Sequence, residues 1–210
     1  MPIEKSLNKN IQSLLNHYNN KEFQIAEKLA LVMTEEFPKV SISWKILSAI
    51  YAKETKIEKS IIASYKAIEL DNLDLEAHNN LFVILFKFKR FDEAIKCCKK
   101  ILSIKPDFAE GYLNLGKCLS FLGKLDDAKD AFKKAINIKP DLNSAYFNLG
   151  NTNFALKRFE EAEINYNKSI ELNPKFAEAY SNLGALYQKL ERFKEAEIKF
   201  KKSIELKPDY

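Results

Sequence analysis

Five prolines, Pro38, Pro106, Pro140, Pro174 and Pro208, stand 34 residues or twice 34 apart, and Asn72 fills the skipped place. The same step runs through Ala26, Ser60, Ala94, Ala128, Ala162 and Ala196. It runs again through Trp44, His78, Tyr112, Tyr146 and Tyr180, and through Leu47, Leu81, Leu115, Leu149 and Leu183. Four series with one period divide the chain into units 7–40, 41–74, 75–108, 109–142, 143–176 and 177–210, after an N-terminal extension of residues 1–6. Such a period constrains the fold more than any single motif does. Each unit must be one supersecondary element whose apolar face is covered by its neighbour.

Within a unit the spacing is helical. Tyr180, Leu183, Gly184 and Tyr187 fall at i, i+3, i+4 and i+7, one stripe of a first helix. Glu191 and Arg192 make a turn, and Phe193, Ala196, Phe200 and Ile204 mark a second helix that Pro208 ends. Gly184 and Ala196 are small where the two helices must cross closely. A helix of ~12–14 residues is marginal alone in water, so each pair must bury its faces against the next. With only five glycines and six prolines among 210 residues, few β-turns are available, and the expected class is all-α.

An aromatic, Leu-Gly, an aromatic, Ala, an aromatic, a small residue and Pro occur in this order at Tyr180, Leu183, Gly184, Tyr187, Ala196, Phe200, Ser203 and Pro208. This pattern resembles the tetratricopeptide repeat, and the resemblance covers residues 7–210. It implies a right-handed superhelical solenoid of six helix-turn-helix repeats that binds proteins or extended peptides. Departures cluster early. Ser48 and Phe82 stand in the glycine place, Asn72 in a proline place, and Asn10, Ser13 and His17 in apolar places of the first unit. The first unit's stripe reads instead Leu7, Ile11, Leu14, Leu15 and Tyr18, so units 1–3 are expected to be less regular and the first to act as a cap. The segment Phe37-Pro38 and Trp44-Lys45-Ile46-Leu47 also loosely resembles the opening of bacterial tetratricopeptide proteins that carry a glycosyltransferase or sulfotransferase domain.

Charge and chemistry narrow the function class. The net charge is +5, with 34 basic residues interleaved among 29 acids, so no basic tract points to nucleic acid or a membrane surface. The longest apolar run, Leu81 to Phe86, is six residues, far short of a span. No apolar signal core follows the first charges. Cys97, Cys98 and Cys118 have no metal-ligand spacing and cannot all pair, which points to a reducing cytoplasm. His17 and His78 each fall at a repeat-core position. No catalytic constellation, metal or cofactor is nominated, and the chain is expected not to be an enzyme. Gly111 to Cys118 nearly spells a phosphate-binding loop, but it lies within a first helix and Cys118 replaces the required hydroxyl.

The sixth place of the units holds Gln12, Ile46, Asn80, Asn114, Asn148 and Asn182. Four successive asparagines lie on the polar side of the first helix, opposite its core stripe. A carboxamide both donates and accepts, so a ladder of Asn80, Asn114, Asn148 and Asn182 can pair with peptide backbone whatever the ligand's side chains. In relatives that bind extended peptides, such a ladder plays this role; asparagine is also common at this place as plain repeat consensus. Lys117 and Asn151 on the same face would set selectivity. Glu76, Glu110 and Glu178 sit in first turns, where the helix dipole favours a carboxylate. The carboxylate clamp of chaperone-binding relatives finds no matching window, since Lys45 is followed by Ala49 and Asn151 is preceded by Phe147.

The last unit ends at Tyr210, where Phe200, Ile204 and Leu206 would be partly exposed. Three readings stay open: a fragment of a longer chain, such as the substrate-recruiting arm of a transferase; a self-assembling adaptor joined through the C-terminal repeat; or a terminus that tolerates fraying. A scaffold for a protein or extended peptide, with no nucleic-acid or membrane partner, is the expectation that comes first.

Overall fold

The computed structural model describes residues 2–208. All regular structure among them is α-helical, in twelve helices that form six pairs. The pairs are α1 (Pro2–Asn19) with α2 (Phe23–Glu36), α3 (Ser41–Lys53) with α4 (Ile57–Leu70), and α5 (Leu75–Lys87) with α6 (Phe91–Ile104). They continue with α7 (Ala109–Phe121) and α8 (Leu125–Ile138), α9 (Asn143–Ala155) and α10 (Phe159–Leu172), and α11 (Ala177–Lys189) and α12 (Phe193–Leu206). Two compact units result, Met1–Ile104 with the first three pairs and Lys105–Tyr210 with the last three. No described helix is long and apolar enough to cross a membrane.

One turn geometry closes all six pairs. Two residues past each first helix, Lys21, Thr55, Lys89, Gly123, Lys157 and Glu191 adopt φ of 59° to 73°. The amide of the following residue then donates five residues back. Examples are Arg90 to Leu85 O at 2.8 Å, Lys124 to Leu119 O at 2.9 Å and Arg158 to Asn153 O at 2.8 Å. This bond satisfies a carbonyl that the helix end leaves open. Only Gly123 has no Cβ to strain in the left-handed region, where other residues lose roughly 1 kcal/mol.

The two helices of a pair meet at a crossing of fixed composition. In the second unit a methyl group on Gly116 would lie 2.5 Å from the Phe132 ring, one on Gly150 2.7 Å from Tyr166, and one on Gly184 2.9 Å from Phe200. The ring therefore rests on helix backbone. In the first unit the same places hold Ser48 with Ser64, whose hydroxyls are 2.5 Å apart, and Ser60 donates to Ser48 O at 2.7 Å. They also hold Phe82 with Cys98 and Leu14 with Ala30, all buried. Where the glycine is lost, the residue in the ring's place is small. The early units depart from the glycine pattern while keeping the crossing filled. The rotated stripe of the first pair packs as its spacing predicts: Leu14 is fully buried, and Leu7, Ile11, Leu15 and Tyr18 pack against its cluster.

The helix α4 ends at Leu70 although Asn72 replaces proline. Side chains do the work there. Asp71 accepts the Leu73 amide at 3.1 Å, Asp74 accepts Ala77 N at 3.0 Å as the cap of α5, and a His78 ring nitrogen contacts Asn72 O at 3.0 Å. His78 is thus a buried structural residue. The first-turn glutamates also hold pairs together: Glu110 meets Lys139 at 3.2 Å and Glu178 meets Lys207 at 3.3 Å. Between the last two pairs, Glu163 accepts from Tyr187 Oη at 2.8 Å and from Arg192 Nη1 at 2.7 Å, with the guanidinium 4.1 Å over the Tyr187 ring.

Two substitutions test this account. Gly116→Ala gains about 1 kcal/mol of helix propensity but loses about 1–3 kcal/mol to overpacking. At 2.5 Å the loss wins, and the variant should melt at a lower temperature. Combined with Phe132→Leu, it should cost less than the sum of the two single changes. Lys157→Gly should raise the melting temperature by relieving the left-handed conformation, about 0.5–1 kcal/mol. An unchanged or lower melting temperature for it would contradict the turn geometry.

Candidate functional site

In the second unit the first helices α7, α9 and α11 contact one another in series. Their shared polar face carries most of the residues singled out by the sequence. Between α7 and α9 lies a pocket of about 270 Å³. Lys117, Ser120 and Phe121 of α7 form one wall, Asn148, Asn151, Thr152 and Ala155 of α9 the other, and Leu125 closes one end. Ser120 and Thr152 hydroxyls face each other at 3.5 Å. A second pocket of about 270 Å³ lies between Asn151 and Phe154 of α9, Tyr166 of α10, and Asn182 and Ala185 of α11. Asn151 is common to both.

Hydrogen bonds fix these carboxamides. Asn151 Oδ1 accepts from Tyr166 Oη at 2.9 Å and from Asn182 Nδ2 at 2.7 Å. Asn148 Nδ2 donates to Ser144 O at 2.7 Å, and Thr152 Oγ1 donates to Asn148 O at 2.8 Å. Asn148, Asn151 and Asn182 line the pockets, and no hydrogen bond among the described residues uses Asn148 Oδ1, Asn182 Oδ1 or Asn151 Nδ2. Asn114 is half-buried one turn before Lys117 and outside both pocket linings. Asn80 is half-buried on α5 in the first unit. The structure therefore brings Lys117, Asn148, Asn151 and Asn182 together, with Asn114 beside them on α7.

Burial shapes the titration of two groups here. It pushes the Tyr166 hydroxyl well above its ordinary 10.0, an effect that the Asn182 amide partly offsets. It pushes the Lys117 amine below its ordinary 10.5. Tyr166 and Thr152 were not singled out by the sequence. The one signal for Tyr166 is its hydroxyl, since Phe132 and Phe200 occupy the same place in the neighbouring pairs. Gly111 to Cys118 lies within α7, its amides taken up by the helix. Cys97, Cys98 and Cys118 are buried. No group of three or more His, Cys, Asp or Glu side chains among the described residues could hold a metal ion.

Paired helices closed by a tight turn, crossing at a small residue and ended by proline, define a helical-hairpin repeat protein of the solenoid class. Tetratricopeptide-repeat family models match residues 85–151, 150–191 and 177–210, and this region of the chain is an array of tetratricopeptide repeats. A stretch of 62 residues, 30% of the chain, is 39% identical to the protein STIP1 homolog of Dictyostelium discoideum, and this chain spans 11% of that protein's length. Among solved structures, MamA is 24% identical with a TM-score of 0.71, covering 80% of this chain and 92% of MamA. YrrB, described as a tetratricopeptide-repeat protein with an unusual peptide-binding site, is 21% identical with a TM-score of 0.66 over 86% of this chain and 93% of its own. Pseudomonas aeruginosa pilF is 17% identical with a TM-score of 0.78 over 100% of this chain and 96% of its own. These proteins share the all-α solenoid fold with this chain.

The buried hydroxyl gives a pH signature. Tyr166 has a folded pKa raised above its unfolded value, so its contribution to stability is complete below about pH 10 and is lost as pH rises beyond it. Tyr166→Phe should cost about 1 kcal/mol at neutral pH through the lost bond to Asn151. The gap to the unaltered protein should narrow above pH 10 in denaturant titrations, and a gap independent of pH would refute the buried placement.

Proposed function

We propose that this chain is a non-catalytic scaffold that holds an extended peptide or a partner protein along its first-helix face. Its repeat units are residues 7–40, 41–74, 75–108, 109–142, 143–176 and 177–210. Asn114, Lys117, Asn148, Asn151 and Asn182 serve as contacts in the second unit and Asn80 in the first. The observation that carries this reading is Asn151, fixed by Tyr166 and Asn182 and shared by two adjacent pockets. An amide held in one orientation between two side-chain-sized pockets suits a chain whose backbone crosses the ridge and whose side chains drop to either side. The description of YrrB as peptide-binding agrees with this assignment.

A second reading, self-association through the outer face of α12, is favoured by a different observation. Phe193 is 64% exposed and Ile204 54% exposed, and with Phe200 they line a groove of about 310 Å³. Light scattering that finds only monomers over a wide concentration range removes this reading.

The main test is capture from lysate by the intact chain and by a variant carrying Asn80→Ala, Asn114→Ala, Asn148→Ala and Asn182→Ala, after their helicity has been matched. Loss of a partner from the variant is expected. Equal capture by both would place binding on another face.

A further inference from the structure

Where hairpins meet inside either unit, two places in the repeat answer each other. Glu27 on α2 stands beside Tyr51 on α3; burial first, and then this carboxylate, raises the Tyr51 hydroxyl above its ordinary 10.0. Glu163 on α10 accepts from Tyr187 Oη on α11 at 2.8 Å. Between α4 and α5 the same two places hold Ile61 and Leu85, both buried. Between α8 and α9 they hold Lys129 and Asn153. An acid is thus matched by tyrosine, and an aliphatic residue by another. A basic side chain completes each acidic junction. Lys56 Nζ lies 5.6 Å from the centre of the Tyr51 ring, and the Arg192 guanidinium lies 4.1 Å over Tyr187 while donating to Glu163 at 2.7 Å.

The next acid in this series is Glu197 on α12. Phe193, Phe200 and Ile204 surround it, at the places where α10 sets Phe159, Tyr166 and Ile170 into a cluster shared with α11. Among the described residues no helix follows α12 to cover them. Glu197 ion-pairs with Lys201 of its own helix at 2.6 Å, with both side chains exposed. A solvated pair one helical turn apart is weak and exchanges readily for a better partner. A second copy stacked head to tail does not supply that partner. Its α1 holds His17 and Glu22 at the places of Tyr187 and Arg192, which brings an acid toward Glu197. The helices that do carry the tyrosine are already packed, with Tyr51 8% and Tyr187 5% exposed.

We propose that the outer face of α12 docks a single helix of another protein, one that presents a tyrosine to Glu197 and a basic residue five positions further on, with apolar side chains filling the groove of Phe193, Phe200 and Ile204. Covering Glu197 with leucine or phenylalanine would leave a carboxylate buried without a donor, whereas a phenol satisfies it. The basic residue stacks on the tyrosine and neutralises the acid, as Arg192 does beside Glu163. This groove shares no lining residue with the pockets of α7, α9 and α11, so the proposal stands apart from the scaffold reading.

The test titrates the full chain with a fluorescent synthetic peptide that copies residues 175–192, held helical by a lactam bridge on its solvent side and checked for helicity. The probe should bind saturably. With Tyr187→Phe in the probe, binding to the unaltered chain should weaken about tenfold, and binding to the Glu197→Gln chain should not change. Glu197 is 64% exposed, so its variants keep the fold. Glu197→Ile should reverse the preference toward a probe with Tyr187→Leu, as Ile61 goes with Leu85. No binding of the helical probe, or equal binding of the tyrosine and phenylalanine probes to the unaltered chain, overturns the proposal. Light scattering that finds dimers which the probe disperses gives the groove to a second copy and overturns it too. None of these readouts involves the asparagines, so partner capture that depends on them survives a failure here.

Discussion

The fold depends on how closely two helices can approach inside one hairpin. A side chain at Gly116, Gly150 or Gly184 would enter the ring of Phe132, Tyr166 or Phe200, so ring and backbone are in direct contact at each crossing. That contact sets the separation of the two helices and the depth to which the ring is buried. With Phe132 and Tyr166 almost wholly enclosed, each ring contributes roughly 2–3 kcal/mol of apolar burial. Neither helix of 13 or 14 residues could hold its shape without it. The pairs Ser48 with Ser64, Phe82 with Cys98 and Leu14 with Ala30 show that the filled volume at the crossing matters more than glycine itself.

Much of this was legible in the sequence because a period is a redundant signal. Pro106, Pro140, Pro174 and Pro208 each place a helix end, and the stripes at Tyr180, Leu183 and Tyr187 each place a face. Ser48 and Phe82 were equally legible as departures. Their compensation was not, because Ser64 and Cys98 lie sixteen residues further on and matter only once it is known which side chains cross. The end of α4 was obscured for a similar reason. Without a proline, the work passes to Asp71, Asp74 and His78, each ordinary by itself and effective only in combination. At the candidate site the sequence supplied the asparagines and Lys117, but not their partners. The link from Asn182 to Asn151 spans 31 residues, and the link from Tyr166 to Asn151 spans 15.

Polar groups are used unevenly across the molecule. At the hairpin ends and at several contacts between pairs they are satisfied internally, as in the junction of Glu163, Tyr187 and Arg192, whereas the buried hydroxyls of Ser43 and Ser169 have no partner among the described residues. On the face shared by α7, α9 and α11, Asn148, Asn151 and Asn182 are held by hydrogen bonds while keeping capacity for another. Such half-committed groups are preorganised, so a ligand that uses them loses little side-chain freedom on binding.

Helices within each unit contact their immediate neighbours in the chain or, at most, the next first helix along, as α7 with α9 and α9 with α11. Order can therefore grow from any one hairpin without waiting for distant segments to find each other, and loop closure imposes little delay. The same locality means that damage does not spread far. A weakened crossing loosens its own hairpin and the interfaces on either side, so opening should be graded along the array rather than all-or-none, and a partner laid across several repeats would act as a splint that restores cooperativity among them.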